Sequence, residues 1–338
     1  MNRAIGVLGC GQIAAQHLEA YRAGGLSVVA LCDPDEEAVT SKGMTFFPQA
    51  TTYVDVDRFL EHPNMEVVDI ATHVDVRPDL VEKVLRSGRH VLSQKPFVED
   101  LGRGRELCSL ARRLGLRLAV NQNARFAPHF HLARALVAQG VLGSVQLVEM
   151  SVHWDHSWVR GKPFEAMPHL ILFDFGIHWF DMARCLFGHS IATNVTAWAR
   201  SLPNQPIAPP MLAHAVMEFP EGLASLGLHA WTRFGQQDRT TIIGDRATLV
   251  LEGVDYQSQR ATLYGEHGEL PIAVTGKWFP DAFLACMCHF LEAIESGEAS
   301  DLEAEENLDS LQLCFAAVAS SLRGTPVRPQ SVGGLPAE

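Results

Sequence analysis

The sequence predicts an α/β protein in two parts: a doubly wound parallel sheet, then an α+β domain on a large, mainly antiparallel open sheet. Three observations predict it. Residues 3–121 alternate short apolar runs with amphipathic ones, as strands and their covering helices do. A glycine loop, Gly9-Cys10-Gly11-Gln12-Ile13-Ala14, stands at the first strand-to-helix junction. Beyond residue 124, strand-like runs joined by short Gly-, Pro- or Asp-containing turns take over, the pattern of an antiparallel sheet.

The elements follow in order. AIGVLG is a short apolar strand, and QIAAQHLEAYRAGG an amphipathic helix closed by glycines. LSVVALCD is a strand, VDRFLEH a helix and EVVDIAT a strand ending at Thr72. PDLVEKVLRSG is a helix that starts at Pro and stops at Gly. RHVLS, a helix over 103–115 and LRLAVN complete the first domain, 1–123. The second, 124–338, opens with the helix HLARALVAQG, the strand SVQLVEMSVHW and a helix over 168–187. NVTAWAR, LAHAVMEF, LASLGLHAW, RTTIIG, ATLVLE and RATLYG are its further strands, with a Pro-rich loop at 202–210. Helices near 280–296 and 303–323 close the chain, and RPQSVGGLPAE reads as a loose tail.

Bulk properties narrow the class. A chain of 338 residues, 47% apolar and 20% charged, is long enough for two domains and too apolar to be disordered. A net charge of −12 with scattered Lys and Arg argues against nucleic acid or an anionic membrane as partner. The basic run 103–117 has helical spacing and reads as a solvated face. No apolar run reaches the ~18 residues needed to span a bilayer. The N-terminus lacks signal-peptide anatomy, and seven scattered cysteines read as reduced thiols, which points to a soluble cytoplasmic protein. Cys286 and Cys288 would face different sides of a helix, so they read as core thiols; no metal is expected.

The glycine loop has the setting of a dinucleotide site: a strand before, a helix after, and Asp33 ending the second strand. Gly9 and Gly11 let backbone approach a pyrophosphate resting on the helix N-terminus, beside Gln12 and Ile13. Asp33 can accept both ribose hydroxyls and would repel a 2′-phosphate, which favours NAD over NADP. Thr72 and Lys95, at the ends of later strands, join the cofactor set. A plain turn, or an S-adenosylmethionine enzyme, are the competing readings of the loop.

Two further features carry chemistry. Gln94-Lys95-Pro96 follows the RHVLS strand, at the sheet edge where ligands of open parallel sheets bind. In FDFGIHWFD (173–181), Asp174, His178 and Asp181 share one stripe of an otherwise apolar helix. A satisfied core His–Asp pair is the bland alternative for that stripe, and a surface Lys for Lys95.

With these residues the chain resembles the glucose–fructose oxidoreductase, inositol dehydrogenase and rhizopine-catabolism family (Gfo/Idh/MocA). GCGQIA resembles its cofactor loop, SQKP its E-K-P motif with Gln94 where Glu is usual, and FDFGIHWFDMARCLFG its D-x-G-x-H helix. The closing FLEAIESGE…SLRGTPV is similar too, so the likeness spans nearly the whole chain. The resemblance implies a Rossmann dinucleotide-binding domain and a second domain for substrate binding and oligomerisation. It implies that Lys95, Asp174 and His178 line a hydride-transfer site, and that Lys95-Pro96 is a cis peptide. The chemistry agrees: His178 suits a base for an alcohol proton, Asp174 can orient it, and Lys95 can hold a developing alkoxide. Gln94 keeps a hydrogen-bonding shape while removing a negative charge beside Lys95. Asp181 reads either as a structural hydrogen bond to neighbouring backbone or as a substrate contact and stays outside the catalytic set, and Arg77 reads as a contact to cofactor, to a charged substrate or to the surface.

For substrate recognition the counterpart of NQNARFAPHF (121–130) lies beside substrate in the family, which nominates Asn121 and Arg125. HWDHSW (153–158) nominates Trp154 and His156, since aromatic faces stack on sugar rings; a hydrophobic anchor for the loop is the other reading. Trp278 and Phe279 suit a cleft rim or a subunit contact. The expected protein is an NAD-dependent oxidoreductase acting on a hydroxyl-bearing carbon of a polar small molecule such as a sugar or cyclitol. It forms a homodimer or homotetramer through the C-terminal sheet. A non-catalytic nucleotide-binding sensor, or a relative acting on a non-sugar substrate, remain the alternatives.

Overall fold

Runs such as IGVL, VVALC and VVDI can be hidden only in a sheet covered on both faces. In the computed structural model, which describes residues 3–337, they lie in a six-stranded parallel sheet. Its strands are β1 (Ile5–Leu8), β2 (Val28–Cys32), β3 (Thr51–Tyr53), β4 (Val67–Ile70), β5 (His90–Ser93) and β6 (Leu118–Val120), in the order β3-β2-β1-β4-β5-β6. The order reverses between β1 and β4, the switch point beside which such sheets bind ligands.

The crossovers are α1 (Ala14–Ala23), α2 (Glu36–Phe46), α3 (Val56–Leu60), α4 (Arg77–Arg86) and α5 (Leu101–Leu114). Neither α2 nor β3 was expected from the sequence. EEAVTSKGMTF has little apolar periodicity, and TTY is too short and exposed to signal a strand. Asp35, Asp55 and Asp100 cap α2, α3 and α5 by accepting from first-turn N–H groups, and Gly115 closes α5 in the left-handed conformation. No side chain caps α1, which follows the glycine loop. The basic face of α5 is paired with acids: Arg103 bonds Asp79 and Glu82 at 3.0 and 2.7 Å.

The remaining elements are α6 (Pro128–Ala138), β7 (Val145–His153), α7 (Ile177–Leu186), β8 (Asn194–Arg200), β9 (Leu212–Phe219), β10 (Gly222–His229), β11 (Gln237–Gly244), β12 (Thr248–Gly253), β13 (Gln259–Gly265), β14 (Gly268–Ile272), α8 (Asp281–Ser296) and α9 (Ala304–Arg323). The expected division fell after residue 123 and left all later residues in the second domain. The structure divides at Phe126 and returns Phe279–Leu308 to the first unit. The reason is packing. Phe283, Met287, Phe290 and Leu291 of α8 join Leu18 and Tyr21 of α1 in the first unit's core. Each such buried side chain contributes roughly 1.5–3 kcal/mol.

The second unit is built on an eight-stranded sheet, β14-β13-β12-β11-β7-β10-β9-β8, in which only the β7–β10 pair is parallel. Strand β14 was missed because GELPI is short and mostly exposed. Alternation buries Ala213, Ala215, Met217 and Phe219 of β9 on one face. The C-terminal segment is held rather than loose: Val327 exchanges both backbone hydrogen bonds with Val195 at 2.8 Å, and Pro336 O lies 3.1 Å from His169 Nε2. Among the described residues, no helix is long and apolar enough to cross a membrane.

Candidate active site

In the first unit, β1 delivers the chain into the loop at Gly9, whose φ of +100° favours glycine. A Cβ there would stand 2.9 Å from the Ala71 backbone and 3.0 Å from Thr72 Cγ2, whereas one on Gly11 would meet nothing within 4 Å. The loop is thus pressed against the end of β4 on one side and open at Gly11. Gln12 and Ile13 lead into α1, whose uncapped N-terminus suits an anion. Asp33 is fixed beside the loop: its Oδ2 accepts from the Cys10 N–H at 2.7 Å and its Oδ1 from the Asp35 N–H at 2.9 Å. Burial, then the Asp33 charge, push the Cys10 and Cys32 thiols up to about 12. An open backbone cradle, an uncapped helix and a fixed carboxylate fit a pyrophosphate and a ribose diol.

Lys95 follows β5 through a cis Lys95-Pro96 peptide. Its N–H donates to Gln94 Oε1 at 2.6 Å, and the Gln94 N–H to Ile70 O at 2.9 Å. Arg77 is buried, and its guanidinium donates to the Pro96 and Thr72 carbonyls, tying together the loops after β4 and β5. Thr72 Oγ1 is buried with no hydrogen-bond partner among the described residues. So is the whole Asn121 carboxamide, at the end of β6; its backbone N–H donates to Ser93 O at 2.7 Å. Arg125 lies in the core of this unit and donates to the Asp301 carbonyl.

In the second unit, Asp174 and His178 do not share one uninterrupted helix as expected. A single π turn, Ile171–Phe175, precedes α7, and the Gly176 N–H donates to Ile171 O at 3.0 Å. The wide turn brings backbone onto Gly176, where a Cβ would stand 2.5 Å from Leu172 O. That explains the glycine of the D-x-G-x-H segment, and π turns of this kind recur at functional sites. Asp174 and His178 are 6% and 7% exposed. Asp181 points elsewhere: its Oδ1 accepts from Ser310 Oγ at 2.7 Å, and Ser310 also meets Arg184 at 3.1 Å.

His178 stands among aromatic rings. Trp278 is 5.4 Å from it, Trp179 is 6.2 Å away, and Tyr256 and Trp154 extend the cluster, 5.0 Å apart. Trp154 stacks on His156 at 5.4 Å, and His156 meets Phe175 at 4.1 Å. Trp278 is therefore buried in this cluster rather than on a rim. Among the described residues, no three His, Cys, Asp or Glu side chains converge as metal ligands.

The geometry can be set beside known proteins. Residues 3–122 match the family description "Oxidoreductase family, NAD-binding Rossmann fold", and residues 130–250 match "GFO/IDH/MocA C-terminal domain". The chain belongs to the Gfo/Idh/MocA oxidoreductase family. It is accordingly an NAD-binding oxidoreductase, its Rossmann domain the parallel-sheet unit. A D-apiose dehydrogenase of Paraburkholderia graminis is 26% identical over 96% of this chain and 89% of its own. A myo-inositol dehydrogenase of Streptomyces leeuwenhoekii is 28% identical over 96% of this chain and 99% of its own. In fold, an Agrobacterium radiobacter oxidoreductase solved with NAD+, L-tartaric acid and magnesium superposes at TM-score 0.89, with 22% identity, covering 98% of this chain and 99% of that one.

Sequence reading missed several buried polar groups. His17 and Tyr21, one turn apart on α1, and Asp69 inside VVDI form a hydrogen-bonded set behind Gln94. An acid inside an apolar strand was the available signal. Asp238 and Thr240, buried on β11, were also overlooked.

Proposed function

We propose that the protein is an NAD-linked dehydrogenase that oxidises a CH–OH carbon of a sugar, cyclitol or close derivative, with Lys95, Asp174 and His178 as its reacting side chains. The observation that carries this reading is the pair Asp174 and His178. Both are buried ionisable groups four residues apart in the chain, and His178 stands beside a cluster of aromatic rings. Such groups are costly to bury unless they are paired or used.

Bound NAD supplies a hydride acceptor. The chain supplies the rest. Removing hydride from an alcohol carbon also releases the hydroxyl proton, and the His178 imidazole takes it. The Asp174 carboxylate favours the imidazolium so formed. The Lys95 ammonium stabilises the oxygen as negative charge develops on it. Asp33 offers a carboxylate to the adenosine ribose diol and disfavours a 2′-phosphate, so NAD is used in preference to NADP. Asn121 offers a carboxamide without a hydrogen-bond partner among the described residues as a further polar contact.

The aromatic cluster supports a polyhydroxylated substrate. Trp154 and Tyr256, both half-buried, offer flat faces for the CH faces of a ring. The indole N–H groups of Trp154 and Trp179 are buried without a protein acceptor among the described residues. A hydroxyl oxygen on the substrate would satisfy them, since leaving a buried donor unmade costs about 1–3 kcal/mol. The activities named for the relatives, on D-apiose and myo-inositol, support the same class.

The outer face of the eight-stranded sheet supports a homo-oligomer. Leu223, Leu147, Ile243, Thr248 and Tyr264 lie side by side across five strands, with Leu223 and Tyr264 exposed. Exposed apolar rows of this kind mark interfaces. Sedimentation should give a dimer or tetramer at micromolar concentration, and Ile243→Lys should dissociate it. The activity is tested by screening aldoses, sugar acids and cyclitols with NAD and following NADH by absorbance. NADH formation with one such class is expected; silence across the panel despite tight NAD binding would overturn the substrate assignment.

A further inference from the structure

Behind Lys95 runs a chain of buried side chains that the proposed chemistry does not use. Gln94 is 3% exposed, and His17 and Asp69 are wholly buried. Their hydrogen bonds fix where the protons are. The Lys95 N–H can only donate, so the Gln94 atom 2.6 Å from it is the carboxamide oxygen. The amide nitrogen of Gln94 therefore faces His17 Nε2 at 3.0 Å, and that ring nitrogen must accept. The ring proton then sits on Nδ1, which donates to Asp69 Oδ2 at 2.6 Å. The Tyr21 hydroxyl donates to the same oxygen at 2.6 Å, and burial, with Asp69 beside it, pushes the phenol well above its usual range. Phe283 covers the imidazole at 4.5 Å between ring centres. The nearby Cys286 thiol is kept protonated by burial.

We propose that His17 and Asp69 are positioning residues for Lys95. Through Gln94 they set the backbone from which the ammonium is presented, and Gln94 in turn holds His17 as the neutral Nδ1–H tautomer. The role given to Lys95 rests on the dehydrogenase reading above. A carboxylate at position 94, as in the E-K-P motif that SQKP resembles, would set an oxygen lone pair against the His17 Nε2 lone pair. That contact is favourable only if one proton enters between them. Glutamine with neutral imidazole and carboxylate with imidazolium carry the same net charge. The negative charge that Gln94 omits beside Lys95 is therefore matched by a proton that His17 omits.

The test is nitrogen-15 NMR of the histidine rings in the full-length protein, with the His17 signals assigned by their loss in His17→Gln. At neutral pH the wild type should show His17 with one protonated and one bare ring nitrogen, and Gln94→Glu should show both protonated. An imidazolium in the wild type, or a ring left neutral in Gln94→Glu, would overturn the proposal. Kinetics give a second measurement. His17→Asn keeps a donor for Asp69 but loses the acceptor for Gln94, and should lower kcat by about tenfold or more, as sub-ångström misplacement of a reacting group does. NAD affinity should stay within about twofold. His17→Gln keeps the acceptor and should recover most of the loss; equal losses in both variants would overturn the positioning role. Expected proton placement without turnover in the wild type would refute the dehydrogenase reading of Lys95. Normal turnover with the wrong proton placement would refute the chain of contacts proposed here.

Discussion

Replacing Asp238 with asparagine should change how the protein's stability depends on pH. Asp238 lies on β11, 1% exposed, and its Oδ2 has no hydrogen-bond partner among the described residues. Burial first, and the Asp255 charge second, push its carboxyl up to about 7. An unfolded chain releases the same proton near about 3.9. Over the interval between, the folded protein holds a proton that the unfolded chain has lost. The stabilisation linked to that proton is complete below about pH 4 and is lost as pH rises through about 7. Between about pH 5.5 and about pH 8 the loss amounts to about 2 kcal/mol. Asp238→Asn has no proton to lose. The unfolding free energy of the variant, measured against wild type by urea denaturation at both pH values, should therefore gain about 2 kcal/mol over that window. A difference that stays constant with pH would refute the reading of Asp238 as a buried, proton-bearing acid.

Other consequences are more local. Asp33→Ala removes a fixed carboxylate and should weaken NAD binding by about tenfold while improving NADP binding, read by calorimetry with both cofactors. Gly176→Ala sets a Cβ against the Leu172 carbonyl and should cost about 1–3 kcal/mol, measured as a lowered midpoint in denaturant. Cys10 and Cys32, pushed up to about 12, should resist alkylation at about pH 8 in the folded protein and react once it is unfolded.

What could be read from the sequence was what contiguous residues decide. The glycine loop and Asp33 each lie within a single strand–turn–helix stretch, so pattern and spacing determine their local geometry. The return of Phe279–Leu308 to the first unit was not legible in this way. An apolar helix shows that it must be buried, but not in which core. The π turn was hidden for a related reason, since FDFGIH satisfies a helical period and only the crowding at Gly176 reveals the wider turn. The chain from Asp69 through His17 to Gln94 spans separations of 52 and 77 residues, which no local pattern encodes. Arg125 shows the same limit. It donates to the Asp301 carbonyl, 176 residues away, a contact that the segment around it does not encode.

The most direct test of the central claim sets NAD affinity beside NADH production for the wild type and His178→Ala, on a substrate that the wild type turns over. Both proteins should bind NAD with similar affinity. The variant should form NADH slower by about 10²–10⁴-fold, as expected on removing a general base. Undiminished NADH formation in the variant would contradict the role of His178, and failure of the wild type to bind NAD would contradict the account as a whole.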